Sequence, residues 1–226
     1  MIAIVLADGA VPARAALDAA WPGWDSGASF VVAADGGARW AQALGLAIDR
    51  WVGDGDSIDA GDLAALADAG VRVDRVPAAK DASDTELALE AALAAGATEV
   101  ILLGALGGLR VDHALANLGL LRHPATAGRP VTIYDEHAAR ISLLSATDGP
   151  VTRQLAGRTG DLVSLLPVGD TADGITTDQL EYPLANEPLL IGRTRGISNV
   201  RSGPVASVTL SRGRLLVIET PATFRP

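Results

Sequence analysis

Two kinds of hydrophobic pattern alternate through the first 137 residues of the chain. Apolar runs of strand length are followed by stretches rich in Ala and Leu with helical spacing. This alternation predicts an α/β domain over residues 1–137, a mostly parallel sheet with helices on both faces. The predicted strands are Ile2–Leu6, Phe30–Ala34, Trp51–Val52, Val71–Val76, Val100–Leu103 and Val131–Tyr134.

The clearest helix start lies at Ser83. The segment Ser83-Asp84-Thr85-Glu86 has the sequence of a capping box, in which the Ser and the Glu three residues later bond each other's backbone N–H groups. Leu and Ala follow at residues 87–93, as expected for the body of a helix. The sequence therefore predicts a helix that begins here, between the fourth and fifth strands.

The helical pattern stops after residue 137. From there short strand-like segments are separated by Gly, Pro, Asp and Asn, which predicts a second, all-β domain over residues 138–226. Its clearest strands are Ser207–Leu210 and Leu215–Ile218. The four residues between them predict a terminal hairpin.

Composition narrows the range of functions. The 226 residues include no Cys and three His without zinc-ligand spacing, which disfavours disulfides, thiolate nucleophiles and a catalytic zinc site. A formal net charge of -9 argues against nucleic-acid binding, which needs a basic face. No stretch without a charged residue is longer than Val100–Leu109, which is far shorter than the roughly 18 residues of a membrane span. We expect a cytoplasmic enzyme with no membrane or nucleic-acid partner.

Acidic residues are concentrated in the first domain, where they follow the strands. Residues 1–137 carry 9 basic and 19 acidic side chains, against 9 and 8 in residues 138–226. The acids after the first five strands are Asp8, Asp35, Asp54 with Asp56, Asp81 with Asp84, and Asp112. Asp is an ordinary turn residue, but the carboxyl ends of parallel strands meet at one edge of a sheet, where ligands bind. The repetition favours a site over unrelated turns.

Carboxylates gathered at one edge repel one another and favour binding of a cation. Two unit charges about 4 Å apart raise the energy by roughly 4 kcal/mol at an effective dielectric constant of about 20. Oxygen ligands without His or Cys suit Mg²⁺, which often bridges to substrate phosphates. Asp54 and Asp56, separated by one residue after a short apolar strand, are the strongest candidates for ligands. The chemistry indicated is phosphoryl-type transfer.

Four further residues near these acids have two interpretations each. Lys80, the only lysine in the chain, either contacts a phosphate as a point charge or is an ordinary surface residue. Arg110 and Asp112 follow the Gly-rich segment 104–109 and either hold phosphate together with backbone amides or form a surface ion pair at a helix start. His113 is either a general base or a structural residue of that helix start.

Other phosphate-binding motifs are missing from the sequence. There is no Gly-x-x-x-x-Gly-Lys-[Ser/Thr] loop, which excludes a P-loop NTPase, and no Gly-x-Gly-x-x-Gly after the first strand. The segment Asp54-Gly55-Asp56 also has the Asp-x-Asp form of haloacid-dehalogenase-type phosphatases, but in that class the motif is expected nearer the N-terminus. The acids at the strand ends therefore remain the main indication of chemistry.

Five segments, in order, resemble the motifs of the thiamine pyrophosphokinase family. They are Ala34–Ala38, Gly53–Ser57, Lys80–Leu89, Gly107–Asn117 and Gly196–Asn199. Each segment alone has little specificity, but the ordered set spans nearly the whole chain. The resemblance implies an N-terminal α/β domain that binds ATP and Mg²⁺, a C-terminal β-sandwich that helps to bind thiamine, and a homodimer with shared active sites. The implied reaction is attack of the thiamine hydroxyl on the β-phosphorus of ATP, giving thiamine diphosphate and AMP.

The matched motifs imply roles for individual residues. The resemblance makes Asp35, Asp54, Asp56 and Asp81 ligands of Mg²⁺. It places Ser198 and Asn199 beside thiamine. The expected catalytic residues are Asp54, Asp56, Asp81, Asp84, Arg110 and Asp112. The expected substrate-binding residues are Asp35, Lys80, Arg110, Asp112, Ser198 and Asn199.

Two positions depart from the family pattern, and two other functions stay open. Gly55 stands where an aromatic residue is more usual, and Leu109 is an extra residue before Arg110. All four Trp lie at or before residue 51, so the sequence identifies no aromatic partner for the thiamine rings. One alternative is pyrophosphoryl transfer to another small alcohol, such as a hydroxymethylpterin, which needs a different pocket in the second domain. The other is a nucleotide or thiamine binder without turnover.

Overall fold

The chain folds as two units, Met1–His137 and Ala138–Pro226. The structure is a computed structural model that describes residues 1–222. The last four residues of the predicted second domain, 223–226, lie outside the described residues. Within residues 1–222, no helix is both long and apolar enough to cross a membrane.

The first unit is built on six parallel strands. They are β1 (Ile2–Leu6), β2 (Ala28–Ala34), β3 (Arg50–Gly53), β4 (Arg72–Arg75), β5 (Glu99–Leu103) and β6 (Val131–Tyr134). Their order across the sheet is β6-β5-β1-β2-β3-β4. Four of the five residues in each of β1 and β5 are buried, as in strands covered on both faces. The sheet therefore follows the predicted strands closely.

Helices occupy the connections of this sheet. The α-helices are α1 (Arg14–Ala20), α2 (Ala41–Leu44), α3 (Ala60–Asp68), α4 (Asp84–Ala94) and α5 (Val111–Gly119). The 3-10 helices are Asp35–Trp40, Leu120–Arg122 and Pro124–Thr126. Helix α4 begins as predicted, since Ser83 Oγ accepts a hydrogen bond from Glu86 N at 3.2 Å. Its apolar face packs against β1, β2 and β3 and includes the fully buried Leu89.

The second unit is a sandwich of two antiparallel sheets. Its strands are β7 (Arg140–Ala146), β8 (Val151–Gln154), β9 (Leu162–Pro167), β10 (Ala172–Asp178), β11 (Glu187–Leu189), β12 (Asn199–Val200), β13 (Ser207–Leu210) and β14 (Gly213–Thr220). One sheet has the order β12-β9-β14-β7 and the other β11-β10-β13-β8. Val163 and Leu215 from the first sheet and Ile175 and Val208 from the second share one core.

The fold class is confirmed, but the terminal hairpin is wrong. β13 pairs with β8 and β10, whereas β14 pairs with β7 and β9, so the two strands belong to different sheets. The physical reason is burial: Leu210 and Leu215 enter the same core from opposite sides. Gly213, with a φ of +97°, lies where the chain passes from one sheet to the other.

Candidate active site

A cavity of about 790 Å³ lies at the carboxyl ends of the first five strands. Its wall contains residues that follow each of β1 to β5, because the connections of a parallel sheet begin at this edge. The charged residues in the wall are Asp8, Asp35, Arg39, Asp54, Asp56, Lys80, Asp81, Asp84 and Arg110. The structure thus brings most of the predicted site residues of the first unit together, while their roles stay predictions.

Three carboxylates converge in this cavity. Asp35, Asp54 and Asp84 each offer one oxygen, and these three oxygens lie within 4.8 Å of one another. Asp35 Oδ1 and Asp84 Oδ1 are buried and have no hydrogen-bond partner among residues 1–222. Lys80 Nζ lies 2.7 Å from Asp54 Oδ2 and 3.3 Å from Asp84 Oδ1, the longer contact being an ion pair without hydrogen-bond alignment. The group has the oxygen-only chemistry that suits a hard divalent cation.

Asp35 is fixed at the end of β2 by an unusual backbone conformation. Its φ is +42°, a region that residues with a side chain seldom adopt. Trp51 Nε1 donates to Asp35 O at 3.0 Å, and Ser57 N donates to Asp35 Oδ2 at 3.3 Å. The carboxyl is therefore held in place by β3 and the loop that follows it.

Two glycines let the 3-10 helix Asp35–Trp40 lie against the end of β1. A Cβ on Gly36 would come 2.2 Å from Asp8 Oδ1, and a Cβ on Gly37 would come 2.1 Å from Leu6 O. Such distances are far below van der Waals contact. Any side chain here would push the helix, and with it Asp35, away from the cavity.

The carboxyl groups differ in their electrostatics. Burial raises the pKa of Asp35 to about 6, and the Asp56 carboxyl, which can bond Asp35 when one of the two is protonated, acts in the same direction. Burial also raises the pKa of Asp84. The hydrogen bond from Lys80 lowers the pKa of Asp54. In the absence of a cation, the site therefore combines an ionised carboxylate with one that readily takes up a proton.

Asp56 and Asp81 line the same cavity but lie outside this group of three. Asp56 Oδ1 accepts a hydrogen bond from Ser57 Oγ at 2.8 Å, and both Asp56 and Asp81 are exposed. Asp84, expected from sequence as a catalytic residue but not as a metal ligand, is the one that joins Asp35 and Asp54. The loop between Asp54 and Asp56 turns at Gly55, whose φ of +84° suits glycine.

The Gly-rich loop after β5 forms another wall of the cavity. Gly107 and Gly108 have φ values of +80° and +84°. Asn117 is buried on α5, and its Nδ2 donates to Ala105 O at 2.8 Å, which ties the loop to that helix. Asn117 lies in a matched motif, Gly107–Asn117, but had no predicted role of its own.

Arg110 and Asp112 form the surface ion pair that the sequence allowed. Arg110 Nη2 lies 2.5 Å from Asp112 Oδ2, both side chains are about two-thirds exposed, and Arg110 lowers the pKa of Asp112 far below its ordinary range. Arg110 and the exposed His113 line the cavity, whereas Asp112 is not among its lining residues. The phosphate interpretation of Arg110 is compatible with this position.

Ser198 and Asn199 lie in the second unit, where the Asn199 side chain binds the backbone of Tyr182. Asn199 Oδ1 accepts from Tyr182 N at 3.0 Å, and Asn199 Nδ2 donates to Tyr182 O at 2.7 Å. The Tyr182 side chain stays exposed. Ser198 has a φ of +57°, and its N donates to Ser164 Oγ at 3.0 Å. The sequence pattern does not single out Tyr182, since a lone exposed aromatic residue between strands has no periodic signal.

Two family models match most of the chain. The model described as thiamin pyrophosphokinase, catalytic domain, matches residues 24–133. The model described as thiamin pyrophosphokinase, vitamin B1 binding domain, matches residues 151–215. No curated protein sequence matches the chain.

Solved structures of similar fold extend over nearly the whole chain. Thiamin pyrophosphokinase from Geobacillus thermodenitrificans is 28% identical, with a TM-score of 0.79 and coverage of 97% of both chains. Thiamine pyrophosphokinase from Bacillus subtilis is 22% identical, with a TM-score of 0.81 and coverage of 98% of this chain and 99% of that one. The yeast thiamin pyrophosphokinase is 14% identical, with a TM-score of 0.77 and coverage of 97% and 86%. The last two show likeness of fold alone.

Proposed function

The chain belongs to the thiamin pyrophosphokinase family, and from this premise we propose that it transfers the pyrophosphoryl group of ATP to the hydroxyl of thiamine in a Mg²⁺-dependent reaction. The products are thiamine diphosphate and AMP. The observation that carries the proposal is the convergence of Asp35, Asp54 and Asp84 beside Lys80 at the carboxyl ends of parallel strands.

The donor set fits Mg²⁺. The three converging ligands are all carboxylate oxygens, and two buried oxygens lack a hydrogen-bond donor within the described chain. Asp35, Asp54 and Asp84 would hold the ion, with Asp56 and Asp81 as the further ligands predicted from sequence. When bound, Mg²⁺ supplies neutralisation of the charge on phosphate oxygens.

The chain's own groups position the reactants. Lys80 is held by Asp54 and Asp84 and places a fixed positive charge in the cavity wall. The Gly-rich loop, tied to α5 by Asn117, presents backbone close to bound phosphates. Because phosphoryl-type transfer depends mainly on positioning and electrostatics, this arrangement supports a role in aligning ATP. His113, at the cavity wall, remains the candidate that accepts the proton of the attacking hydroxyl.

The second unit supplies the proposed thiamine surface. Asn199 holds the backbone of Tyr182 through two hydrogen bonds, so the exposed ring has a fixed base. An aromatic face of this kind suits stacking of a flat, cationic heterocycle. We assign Tyr182 this role, with Ser198 as a neighbouring polar contact. The homodimer with shared active sites and the cytoplasmic location stay predictions.

The match of residues 151–215 to a vitamin B1 binding domain favours thiamine over a hydroxymethylpterin. The carboxylate group and Lys80 favour a catalyst over a binder without turnover.

The proposal is tested by replacing one carboxylate of the group. Asp54→Asn should lower kcat for thiamine diphosphate formation by roughly a hundredfold or more, because the variant loses a charge that acts on the transferring phosphates. The unfolding temperature should fall by only a few degrees, because the Asn amide oxygen can still accept from Lys80 Nζ and Lys80 keeps its ion pair with Asp84. Asp68→Asn, an exposed acid at the end of α3, is the matched control and should behave as the wild type. Normal turnover by Asp54→Asn would contradict the proposed site.

A further inference from the structure

We infer that Arg39 binds the polyphosphate chain of the nucleotide and that Asp8 positions its guanidinium. The inference rests on the proposed function and extends it to two residues outside the expected catalytic and substrate-binding sets. Arg39 lies near the end of the 3-10 helix Asp35–Trp40. Arg39 and Asp8 both line the cavity.

The Arg39 guanidinium is bound to Asp8 through one nitrogen, Nη2, and its other two nitrogens have no partner among residues 1–222. Arg39 Nη2 lies 2.7 Å from Asp8 Oδ1 and also donates to the Asp8 carbonyl oxygen. The guanidinium carbon lies 5.1 Å from the centre of the Trp40 ring, a cation–π distance. Arg39 Nε and Nη1 make no hydrogen bond within residues 1–222, and the side chain is 52% exposed. The restraint therefore leaves two nitrogens of a cavity-lining guanidinium without a hydrogen-bond partner among residues 1–222.

Asp8, which holds Arg39, lies between the carboxylate group and the Gly-rich loop. Gly36, next to Asp35, approaches Asp8 so closely that a Cβ would lie 2.2 Å from its Oδ1. On the other side, Gly9 N donates to Gly104 O at 2.9 Å, which attaches the Asp8 segment to the Gly-rich loop. Arg39 is thus anchored between the carboxylate group and the loop. A polyphosphate bound by a cation at the carboxylates and by the loop must extend across this junction.

The balance of charge in the cavity supports the same role. Each of its three fixed cations has a carboxylate partner, but they differ in the donors left free. Lys80 is largely buried between Asp54 and Asp84, and Arg110 uses Nε and Nη2 for Asp112, whereas Arg39 uses only Nη2 for Asp8. The polyphosphate of ATP carries more negative charge than a single divalent ion neutralises. A guanidinium forms strong, directional hydrogen bonds to phosphate oxygens, which makes Arg39 the available contact.

Binding without turnover tests the inference most directly. Calorimetry with MgATP, with AMP and with Mg²⁺-tripolyphosphate, in the absence of thiamine, compares the wild type with Arg39→Gln. We expect Kd for MgATP and for tripolyphosphate to rise roughly tenfold, as on loss of a charged hydrogen bond, while AMP binding changes little. Arg39→Lys should restore part of the affinity. Asp8→Asn should give a smaller loss, because the guanidinium remains but is less restrained.

A matched control separates a phosphate contact from a structural ion pair. Arg212 in the second unit is exposed and pairs with Asp173 at 2.5 Å, so Arg212→Gln removes a similar pair without touching the cavity. It should leave every Kd unchanged. If Arg39→Gln binds both polyphosphates as the wild type does, and only its unfolding temperature falls together with that of Asp8→Asn, Arg39 is a counter-ion of Asp8 and the inference is wrong.

Failure of the proposed function gives a different result. A wild type that makes no thiamine diphosphate, but whose polyphosphate affinity still depends on Arg39, contradicts the reaction and supports the inference. A wild type that binds neither MgATP nor tripolyphosphate contradicts both.

Discussion

Asp35 combines two features that cost free energy in a folded protein. The residue is only 4% exposed, and its backbone φ is +42°. Strained backbone and buried charge persist where the surrounding structure enforces them, and such residues cluster at functional sites. Here Trp51, Ser57 and the adjoining glycine pair hold the residue in place. The cost is consistent with a carboxylate whose ionised form is stabilised by a bound cation.

The buried carboxyl of Asp35 predicts that the stability of the folded protein depends on pH in the absence of divalent metal. Burial, and next the Asp56 carboxyl, raise the pKa of Asp35 from its ordinary 3.8 to about 6 in the folded protein. Between these values the folded state binds more protons than the unfolded state, so the free energy of unfolding decreases as the pH rises. The contribution is fully present below pH 3.8 and is lost as the pH passes about 6.

Thermal unfolding in the presence of a chelator measures the effect. Between pH 5 and pH 7 the midpoint of the wild type should fall by a few degrees more than that of Asp35→Asn, which cannot ionise at this position. The exposed Asp68→Asn serves as the reference and should follow the wild type. Equal pH dependence in wild type and Asp35→Asn would show that Asp35 does not titrate in this range.

The sequence predicted which acids gather but not how they group. Asp35 and Asp54 follow apolar strands, and Asp84 comes after the alternating segment Val71–Val76, so their meeting at one edge of a parallel sheet was predictable. The choice of Asp84 over Asp81 depends on where α4 begins and on Lys80 lying between two carboxylates. Arg39 gave no signal, because its role depends on a close backbone approach that only the folded chain shows.

At the scale of elements, short loops carry the proposed thiamine surface. The segment that leads into β12 packs on β9 because Gly196 has no side chain: a Cβ there would lie 2.1 Å from Leu165 O. Leu165 N donates to Gly196 O at 2.8 Å. The resulting position of Asn199 allows its amide to hold the Tyr182 backbone. A loop thereby acquires the rigidity that a stacking residue needs.

Loss of the Tyr182 ring, or of the Asn199 hydrogen bonds to its backbone, should weaken thiamine binding but not ATP binding. Asn199→Ala and Tyr182→Ala should each raise KM for thiamine by about tenfold, because a stacking contact and its support contribute on the order of 1–2 kcal/mol. KM for ATP should stay the same, and Tyr182→Phe should retain most of the affinity. Steady-state kinetics with each substrate varied in turn measures the split.

The control for this pair removes a hydrogen bond elsewhere in the same unit. Thr152→Ala eliminates the exposed 2.8 Å bond between the Thr152 and Thr209 hydroxyls and should leave both KM values unchanged. Equal losses for thiamine and ATP in Asn199→Ala would indicate general damage to the fold, and an unchanged KM for thiamine in Tyr182→Ala would exclude the stacking role.

Strands were more predictable than their pairing. All six strands of the parallel sheet were placed to within a few residues. Apolar runs such as Ile2–Leu6 indicated strands buried on both faces, and the alternating segment Val71–Val76 indicated the edge strand β4. In the second unit, β13 and β14 were also found, but alternating apolar residues do not reveal which sheet a strand joins. Leu210 and Leu215 enter one core from opposite sheets, a relation that depends on tertiary packing.

In the whole molecule, the excess of acidic residues is concentrated in the first unit, around one cavity. Residues 1–137 carry 19 acidic side chains against 9 basic ones, and six of the acids line one cavity. The second unit, with 8 acidic and 9 basic side chains over residues 138–226, is nearly neutral. This division fits a first unit that binds a cation with a polyphosphate and a second that binds a cationic heterocycle through an aromatic surface. The proposed function therefore depends on two identities, the pyrophosphoryl group that is transferred and thiamine as its acceptor.

Phosphorus NMR of the purified protein with Mg²⁺, ATP and thiamine tests both identities most directly. We expect AMP and thiamine diphosphate to appear together, in equal amounts, and AMP formation to stop when thiamine is omitted. Formation of ADP with a thiamine monophosphate would mean transfer of a single phosphoryl group. That result would contradict the proposed reaction while leaving the fold and the carboxylate site as described.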